Sequence, residues 1–333
     1  MKICILGAGG WGTALAILLH NNKHHITLWE YDKEYAHTLD EHRENFYFLP
    51  KIKIPSQIKI TNDINAAVKD KDLIVVSTPT QFIRSVIEQI NNHSFTNKII
   101  LSVSKGIENE SLMTVTQIFQ DVFRKVKKKN IAVLSGPSHA EEVARYIPTA
   151  VVTAAYDKHN AETIQHVFSN KYFRVYRSKD VLGVELGGAL KNIIAIAAGI
   201  TDGAGFGDNT KAAIMTRGIR EITRLGVYLG AQESTFMGLS GVGDLIVTCM
   251  SKHSRNRYVG EEVGKGKKLR DVLGGMKMIA EGVATSKSMH ELAKNEDIDL
   301  PIIEQVYKVL FLGKNPHRAT EKLMTRVLKE EKR

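Results

Sequence analysis

Residues 2–19 read KICILGAGGWGTALAILL, and this short run decides the fold of the first half of the chain. Lys2 to Leu6 is apolar and rich in β-branched residues, so it reads as a buried strand. Gly7, Gly9 and Gly12, with Gly10 and Trp11 among them, form a GxGxxG turn, and Thr13 to Leu19 reads as the helix it opens into. Glycines at this spacing permit the tight turn, let backbone N–H groups approach a pyrophosphate, and allow close packing of helix on strand. The free N-terminus of the helix then offers its positive end to the phosphates. A dinucleotide is the ligand this arrangement predicts.

Working outward, Ile26–Trp29, Leu73–Ser77, Ile99–Val103 and Ile131–Ser135 also read as strands. Gln81 to Ile90 and Leu112 to Val122 read as helices between them. Strand, helix, strand in succession implies a mostly parallel, doubly wound, Rossmann-like sheet with right-handed crossovers. From about Val181 the pattern turns helical, with Asn209 as an expected N-cap and Gly230 as an expected stop around TKAAIMTRGIREITRLGVYLG. The expected organisation is α/β: a dinucleotide-binding domain over 1–180 and an all-α substrate domain over 181–333.

Composition narrows the function classes. A chain of 333 residues with 43% hydrophobic and 25% charged residues is too long for one ordinary core and suits a two-domain globular protein. The net charge is +10, but the basic runs Lys125–Lys129 and Lys265–Lys268 are short and lack interleaved aromatics. They read as solvated faces, not a nucleic-acid surface. Two distant cysteines, Cys4 and Cys249, have no metal-ligand spacing and fit a reducing compartment; no metal site is expected. The amino terminus lacks the apolar stretch of a secretory signal, which predicts a cytoplasmic protein.

The second informative stretch is Leu186 to Ile200, LGGALKNIIAIAAGI, in which Lys191 and Asn192 are the only polar residues. An ammonium here loses hydration unless something pairs with it or uses its proton. Lys191 is therefore either a catalytic acid/base or a core-helix lysine whose amine reaches water. Fifteen residues fall short of a bilayer, so no membrane insertion is expected. Asp244, in LSGVGDLIVT, either pairs with Lys191, binds a hydroxyl or caps a helix. Ser254 is a candidate N-cap of the helix that SRNR opens, where free N–H groups and the Arg255 guanidinium can converge on a phosphate.

Candidate loops also gather at the carboxyl ends of the strands: Thr78-Pro79-Thr80, Ser104-Lys105-Gly106 and Gly136-Pro137-Ser138. Ligands of open α/β sheets bind at that edge. At the end of the second strand stands Glu30, whose carboxylate can accept from a ribose 2′-hydroxyl and repel a 2′-phosphate, which leans toward NAD(H) over NADP(H). Asp32 can play the same part, whereas Lys33 and Arg43 can offset the repulsion.

With these residues assembled, the chain resembles the soluble bacterial NAD(P)-dependent glycerol-3-phosphate dehydrogenases along nearly its whole length. The resemblance rests on GAGGWGTALA at 7–16, SKGIE at 104–108, LSGPSHAEEVA at 134–144, GALKNIIAIAAGI at 188–200, DNTKAAIMTRG at 208–218, SGVGDLIVTC at 240–249, SRNR at 254–257 and AEG at 280–282. It implies reversible hydride transfer between NAD(P)H and dihydroxyacetone phosphate, giving sn-glycerol 3-phosphate for glycerophospholipid synthesis, and a homodimer. It further implies Lys191 as proton donor, with Lys105 and Asp244 lining the same centre. Lys105, Gly136, Ser138, Lys191, Asn192, Asp244, Thr248, Ser254, Arg255 and Asn256 would contact substrate. Gly7, Gly9, Gly10, Trp11, Gly12, Glu30, Tyr31, Lys105, Ala140, Arg255, Ile279 and Glu281 would contact the cofactor. The chain departs from the family at Glu30-Tyr31-Asp32, where a basic or small residue is more usual. It departs again at His139, usually aromatic, and at Met250, usually a small hydroxyl residue. Alternatives are a 3-hydroxyacid or 6-phosphogluconate type dehydrogenase, against which the SRN cluster argues, and a non-catalytic NAD(H)-sensing protein.

Overall fold

The computed structural model describes residues 1–90, 98–328 and 330–331. Strands β1 (Lys2–Leu6), β2 (His25–Trp29), β5 (Lys59–Thr61), β6 (Leu73–Val76), β7 (Ile99–Ser102), β8 (Ile131–Ser135), β9 (Thr149–Ala155) and β10 (Phe173–Ser178) form one sheet in the order β10-β9-β8-β7-β6-β1-β2-β5. Strands β3 (Glu44–Asn45) and β4 (Leu49–Lys53) make a separate antiparallel hairpin. All neighbours in the large sheet are parallel except β8 and β9. The chain moves outward from β1 to β2 on one side and returns to β6 on the other, so the topological switch lies between β1 and β6. In open α/β sheets a crevice opens at such a point, beyond the carboxyl ends of the strands.

Strands β1, β6, β7 and β8 are buried on both faces, apart from Lys2, which explains their continuous apolar sequence. One apolar cluster, with Leu15, Leu19, Leu28 and Phe168, covers one face; another, with Ile83, Ile87, Ile118 and Phe119, covers the other. Strand β10 instead alternates, with Phe173 and Val175 buried and Arg174 and Tyr176 exposed, as an edge strand should. After Ser178 only helices follow among the described residues, built round their own core of Ile193, Ile196, Leu225 and Phe236.

Three local expectations need correction. The helix expected from Leu112 starts at Val115 instead, because Leu112 is left-handed (φ 57°) and Thr114 with Gln117 forms a capping box. The helix Asp208–Tyr228 is preceded by Gly207, so Asn209 lies inside its first turn and is not the cap; Gly230, at φ +96°, does stand at its end. The apolar stretch around Lys191 belongs to the helix Val181–Gly203, whose 23 residues and mean hydropathy of 1.6 meet the length and composition of a membrane span. Length therefore does not exclude lipid for this helix. In the fold, 94% of its most apolar 18-residue stretch is buried, as in a core helix.

The helix Arg255–Gly264 crosses Val181–Gly203 backbone against backbone. A Cβ on Gly199 would stand 2.0 Å from the Arg257 carbonyl, on Gly203 2.0 Å from that of Glu261, and on Gly260 2.1 Å from that of Ile196. Any side chain at these positions would force the helices apart. Two residues of site interest, Lys191 on one helix and Ser254 at the start of the other, are thereby held in fixed register.

Candidate active site

A cleft of about 660 Å³ runs from the glycine turn after β1 to the helices of the second half. Gly7 sits at φ +109°, a conformation that favours glycine, and a Cβ on Gly12 would come within 1.9 Å of the Gly7 carbonyl. Around Gly9, by contrast, nothing lies within 4 Å of a built Cβ. The helix Gly10–Asn21 begins there with no side-chain cap, so its first N–H groups are free for an anionic ligand. These features fit a dinucleotide pyrophosphate.

At one end of the cleft lie Glu30 and Tyr31. Burial lifts the Glu30 carboxyl above the usual carboxylate range, opposed by N–H groups that include that of Asp32, 3.1 Å from its Oε1. Asp32 is committed elsewhere: its side chain caps the helix Lys33–His42 by accepting from the Tyr35 N–H. Arg43 is also spent, donating to Asp40 and to the Ile58 carbonyl. Glu30 is thus the carboxylate that faces the cleft from the Glu30–Asp32 segment, and neither Lys33 nor Arg43 lines it.

At the other end three charged side chains meet. Lys191 is 6% exposed and Asp244 1%. Lys191 Nζ donates to Asp244 Oδ1 at 2.6 Å and to Thr248 Oγ1 at 2.6 Å. Lys105 Nζ donates to Asp244 Oδ2 at 2.7 Å and to the Gly136 carbonyl at 2.9 Å, with Ser138 Oγ at 3.5 Å. Asp244 therefore pairs both lysines; it opens the helix Asp244–Met250 but caps nothing. Burial pushes the Lys191 amine down to about 8, Asp244 pulls it up, and the Lys105 ammonium adds to the fall. Burial opposes ionisation of Asp244, but the two ammonium groups outweigh it and hold that carboxyl below its ordinary range.

A chain of amides ties this centre together. The Gly282 N–H donates to Asn256 Oδ1, Asn256 Nδ2 to Asn192 Oδ1, and Asn192 Nδ2 to the Lys105 carbonyl. Each amide's orientation is set by its neighbour, since oxygen only accepts and nitrogen only donates. Ser254 caps the helix Arg255–Gly264 by accepting from the Arg257 N–H, as the sequence indicates. Arg255, exposed beside it, donates to the Ile279 carbonyl. Glu281 Oε1 accepts from the Thr80 N–H at 2.8 Å, joining the second half of the chain to the loop after β6. Burial raises the Glu281 carboxyl to about 7.

Nearly every residue expected to contact substrate or cofactor lines this one cleft, including Trp11, Ser138, Ala140, Thr248, Asn256 and Ile279. Two do not. Gly12 lies beneath the turn, and Gly136, at φ +139°, takes part only through its carbonyl on Lys105. Among the residues the sequence did not single out, Phe48, Phe82, His253 and Lys277 also line the cleft. Phe48 belongs to the β3–β4 turn, and Lys277 stacks its amine over Tyr47 of the same hairpin, 3.7 Å from the ring centre. No local pattern brings residue 277 to residue 47. Phe82 was findable, as an exposed aromatic just after a candidate loop.

A doubly wound sheet with an uncapped glycine turn, facing a buried lysine–aspartate centre on a helical half, defines a dinucleotide-dependent dehydrogenase. Residues 2–161 match the family model described as NAD-dependent glycerol-3-phosphate dehydrogenase N-terminus, and residues 180–321 match its C-terminus counterpart. The chain is 49% identical to a glycerol-3-phosphate dehydrogenase (NAD(P)+) of Fusobacterium nucleatum, covering 99% of this chain and 98% of that one. It is 47% identical to that of Syntrophotalea carbinolica, covering 99% of each. A crystal structure of glycerol-3-phosphate dehydrogenase from Coxiella burnetii superposes with a TM-score of 0.93 at 33% identity, over 98% of this chain and 99% of that one. The chain belongs to the NAD-dependent glycerol-3-phosphate dehydrogenase family.

Proposed function

We propose that this chain reversibly reduces dihydroxyacetone phosphate to sn-glycerol 3-phosphate with NAD(P)H, feeding glycerophospholipid synthesis. The nicotinamide cofactor supplies the hydride. The observation that carries the residue assignment is the donor inventory of Lys191. An ammonium has three N–H bonds, two are held by Asp244 and Thr248, and the third is left to the cleft.

In the reduction, charge develops on the carbonyl oxygen as hydride arrives. Lys191 stabilises that charge and hands over its proton; in the oxidation the neutral amine takes the proton back. Asp244 aims Lys191, and Lys105 adds a second positive charge at the same point. At the far end of the substrate, the free N–H groups following Ser254 and the Arg255 guanidinium hold the phosphate. Binding energy gathered there orients the carbonyl for attack. Glu30 favours a ribose 2′-hydroxyl over a 2′-phosphate, which leans the cofactor preference toward NADH.

We place the boundary between the dinucleotide-binding and substrate parts at residue 180, between Ser178, which ends β10, and Val181. A homodimer is the expected assembly from the family resemblance, measurable by light scattering. Two buried free thiols suit a reducing, cytoplasmic setting. The test of function is NADH oxidation with and without dihydroxyacetone phosphate, beside 3-hydroxyacid and 6-phosphogluconate controls. Turnover with the triose phosphate alone is expected; preference for either control, or no turnover with any, overturns the reading.

A further inference from the structure

His139 stands where the family resemblance implies a different, carbocyclic aromatic residue, and it lines the cleft beside Ser138 and Lys191. It follows Ser138, which approaches Lys105 Nζ, and precedes Ala140. Its charged neighbours are Lys191, Lys105 and Glu141. Its ring centre is 5.9 Å from that of His253, the residue before Ser254. The imidazole thus lies between the lysine pair and the helix start that grips the phosphate.

The Val247 backbone lies beside the ring, while Nε2 is buried with no hydrogen-bond partner among the described residues. A hydrogen on Nε2 would have no acceptor to meet, so the neutral ring favours the tautomer that carries its hydrogen on Nδ1, beside the Val247 backbone. Burial first, then the Lys191 ammonium, holds the imidazole below its ordinary pKa, so the ring is neutral near pH 7. In a neutral ring with Nδ1 protonated, Nε2 is an acceptor. A buried acceptor without a donor costs free energy, and among the described residues no donor bonds it: both lysines are turned to Asp244, Thr248 and Gly136.

The substrate offers the complement. Its phosphate goes to Ser254 and Arg255 and its reacting oxygen to Lys191, which leaves one primary hydroxyl needing an acceptor. Both Asp244 oxygens are already taken by ammonium groups. We infer that His139 Nε2 accepts a hydrogen bond from the free primary hydroxyl of the three-carbon substrate, making His139 a specificity residue of this chain that an aromatic ring at the same position cannot replace. The inference rests on the function proposed above.

The experiment compares dihydroxyacetone phosphate with acetonyl phosphate, the same ketone lacking that hydroxyl, in wild type, His139→Phe and His139→Gln. Removing one neutral hydrogen bond should lower kcat/KM of His139→Phe for dihydroxyacetone phosphate about tenfold, and for acetonyl phosphate by less than about threefold. His139→Gln, which carries an amide oxygen at the reach of Nε2, should recover part of the loss. The KM for NADH should stay unchanged in both variants. Equal losses with the two ketones, no loss, or a loss confined to the NADH KM overturns the assignment; the last would give Nε2 to the cofactor's carboxamide. Circular dichroism of both variants separates misfolding from lost recognition. Wild type inactive on dihydroxyacetone phosphate overturns the underlying function as well, and is read before any variant.

Discussion

Glu185 and Lys191 sit on the same helix, six residues apart, and both are buried, yet they use burial differently. Glu185 accepts from Thr114 Oγ1, Thr116 Oγ1 and the Thr116 N–H, joining its helix to the start of the helix Val115–Val122. Its hydrogen bonds all end inside the fold, and burial lifts its carboxyl to about 7. Lys191 is also paired, but it lines an open cleft and keeps one donor unused. Glu221 repeats the Glu185 pattern, accepting from the N–H groups of Ile302 and Ile303 at a helix start. Buried charge alone therefore does not single out Lys191; what sets it apart from Glu185 and Glu221 is the donor it keeps unused at the cleft.

The contrast can be broken most directly at Lys191. Lys191→Met keeps the stem and removes the proton donor, and should lower kcat by about 10³-fold or more. NADH binding, followed by fluorescence titration, should be unchanged; near-normal turnover would make Lys191 merely structural, like Glu185. Asp244→Asn leaves two ammonium groups facing each other without their carboxylate. A loss of about 3–5 kcal/mol in denaturant unfolding is expected, as for other buried pairs broken on one side. A loss under 1 kcal/mol would say the cluster is better hydrated than its burial implies.

Arg255→Ala should raise the KM for dihydroxyacetone phosphate by about 10- to 100-fold, the worth of a charged hydrogen bond, and leave kcat less affected. If only the cofactor KM responds, the phosphate grip lies elsewhere. Wild-type rates sharpen the picture through pH. Lys191 is charged below about pH 8, so ketone reduction should fall as pH rises beyond that value, while alcohol oxidation rises through it. Parallel profiles in the two directions would remove Lys191 as the exchanging group.

The smallest expected effect is at Glu185. Its folded-state pKa stands above its unfolded value, so the folded form holds the proton more tightly, and stability is lost as pH climbs from about 4.5 through about 7. Glu185→Gln cannot titrate, and its unfolding free energy should be flatter between pH 5 and pH 8 than that of wild type. Activity at pH 7 should hardly change. An equal decline in both proteins would assign the pH dependence to other groups.

Much of this was legible in the sequence because the signals are local. The glycine turn announces itself by spacing, Ser254 by its place before a helix, and Lys191 by being the one charge in an apolar stretch. What could not be read is what long-range packing creates. Nothing near Asn192 foretells Asn256, nor near Asp244 that both lysines share it. The antiparallel β9 escapes because its small side chains, TAVVTAA, carry little pattern. The membrane length argument failed because Glu185 on one side, and Thr201 and Asp202 on the other, end the apolar run but not the helix.

The glycine seam between Val181–Gly203 and Arg255–Gly264 has a consequence for substrate size. Where helices touch through bare backbone, no side chain can change rotamer to let them slide. The span from the proposed phosphate site at Ser254 to the amine at 191 is then a fixed gauge. On the proposed reading, a ketose phosphate one carbon longer would have to buckle or withdraw one end, and the helix crossing itself would select for chain length.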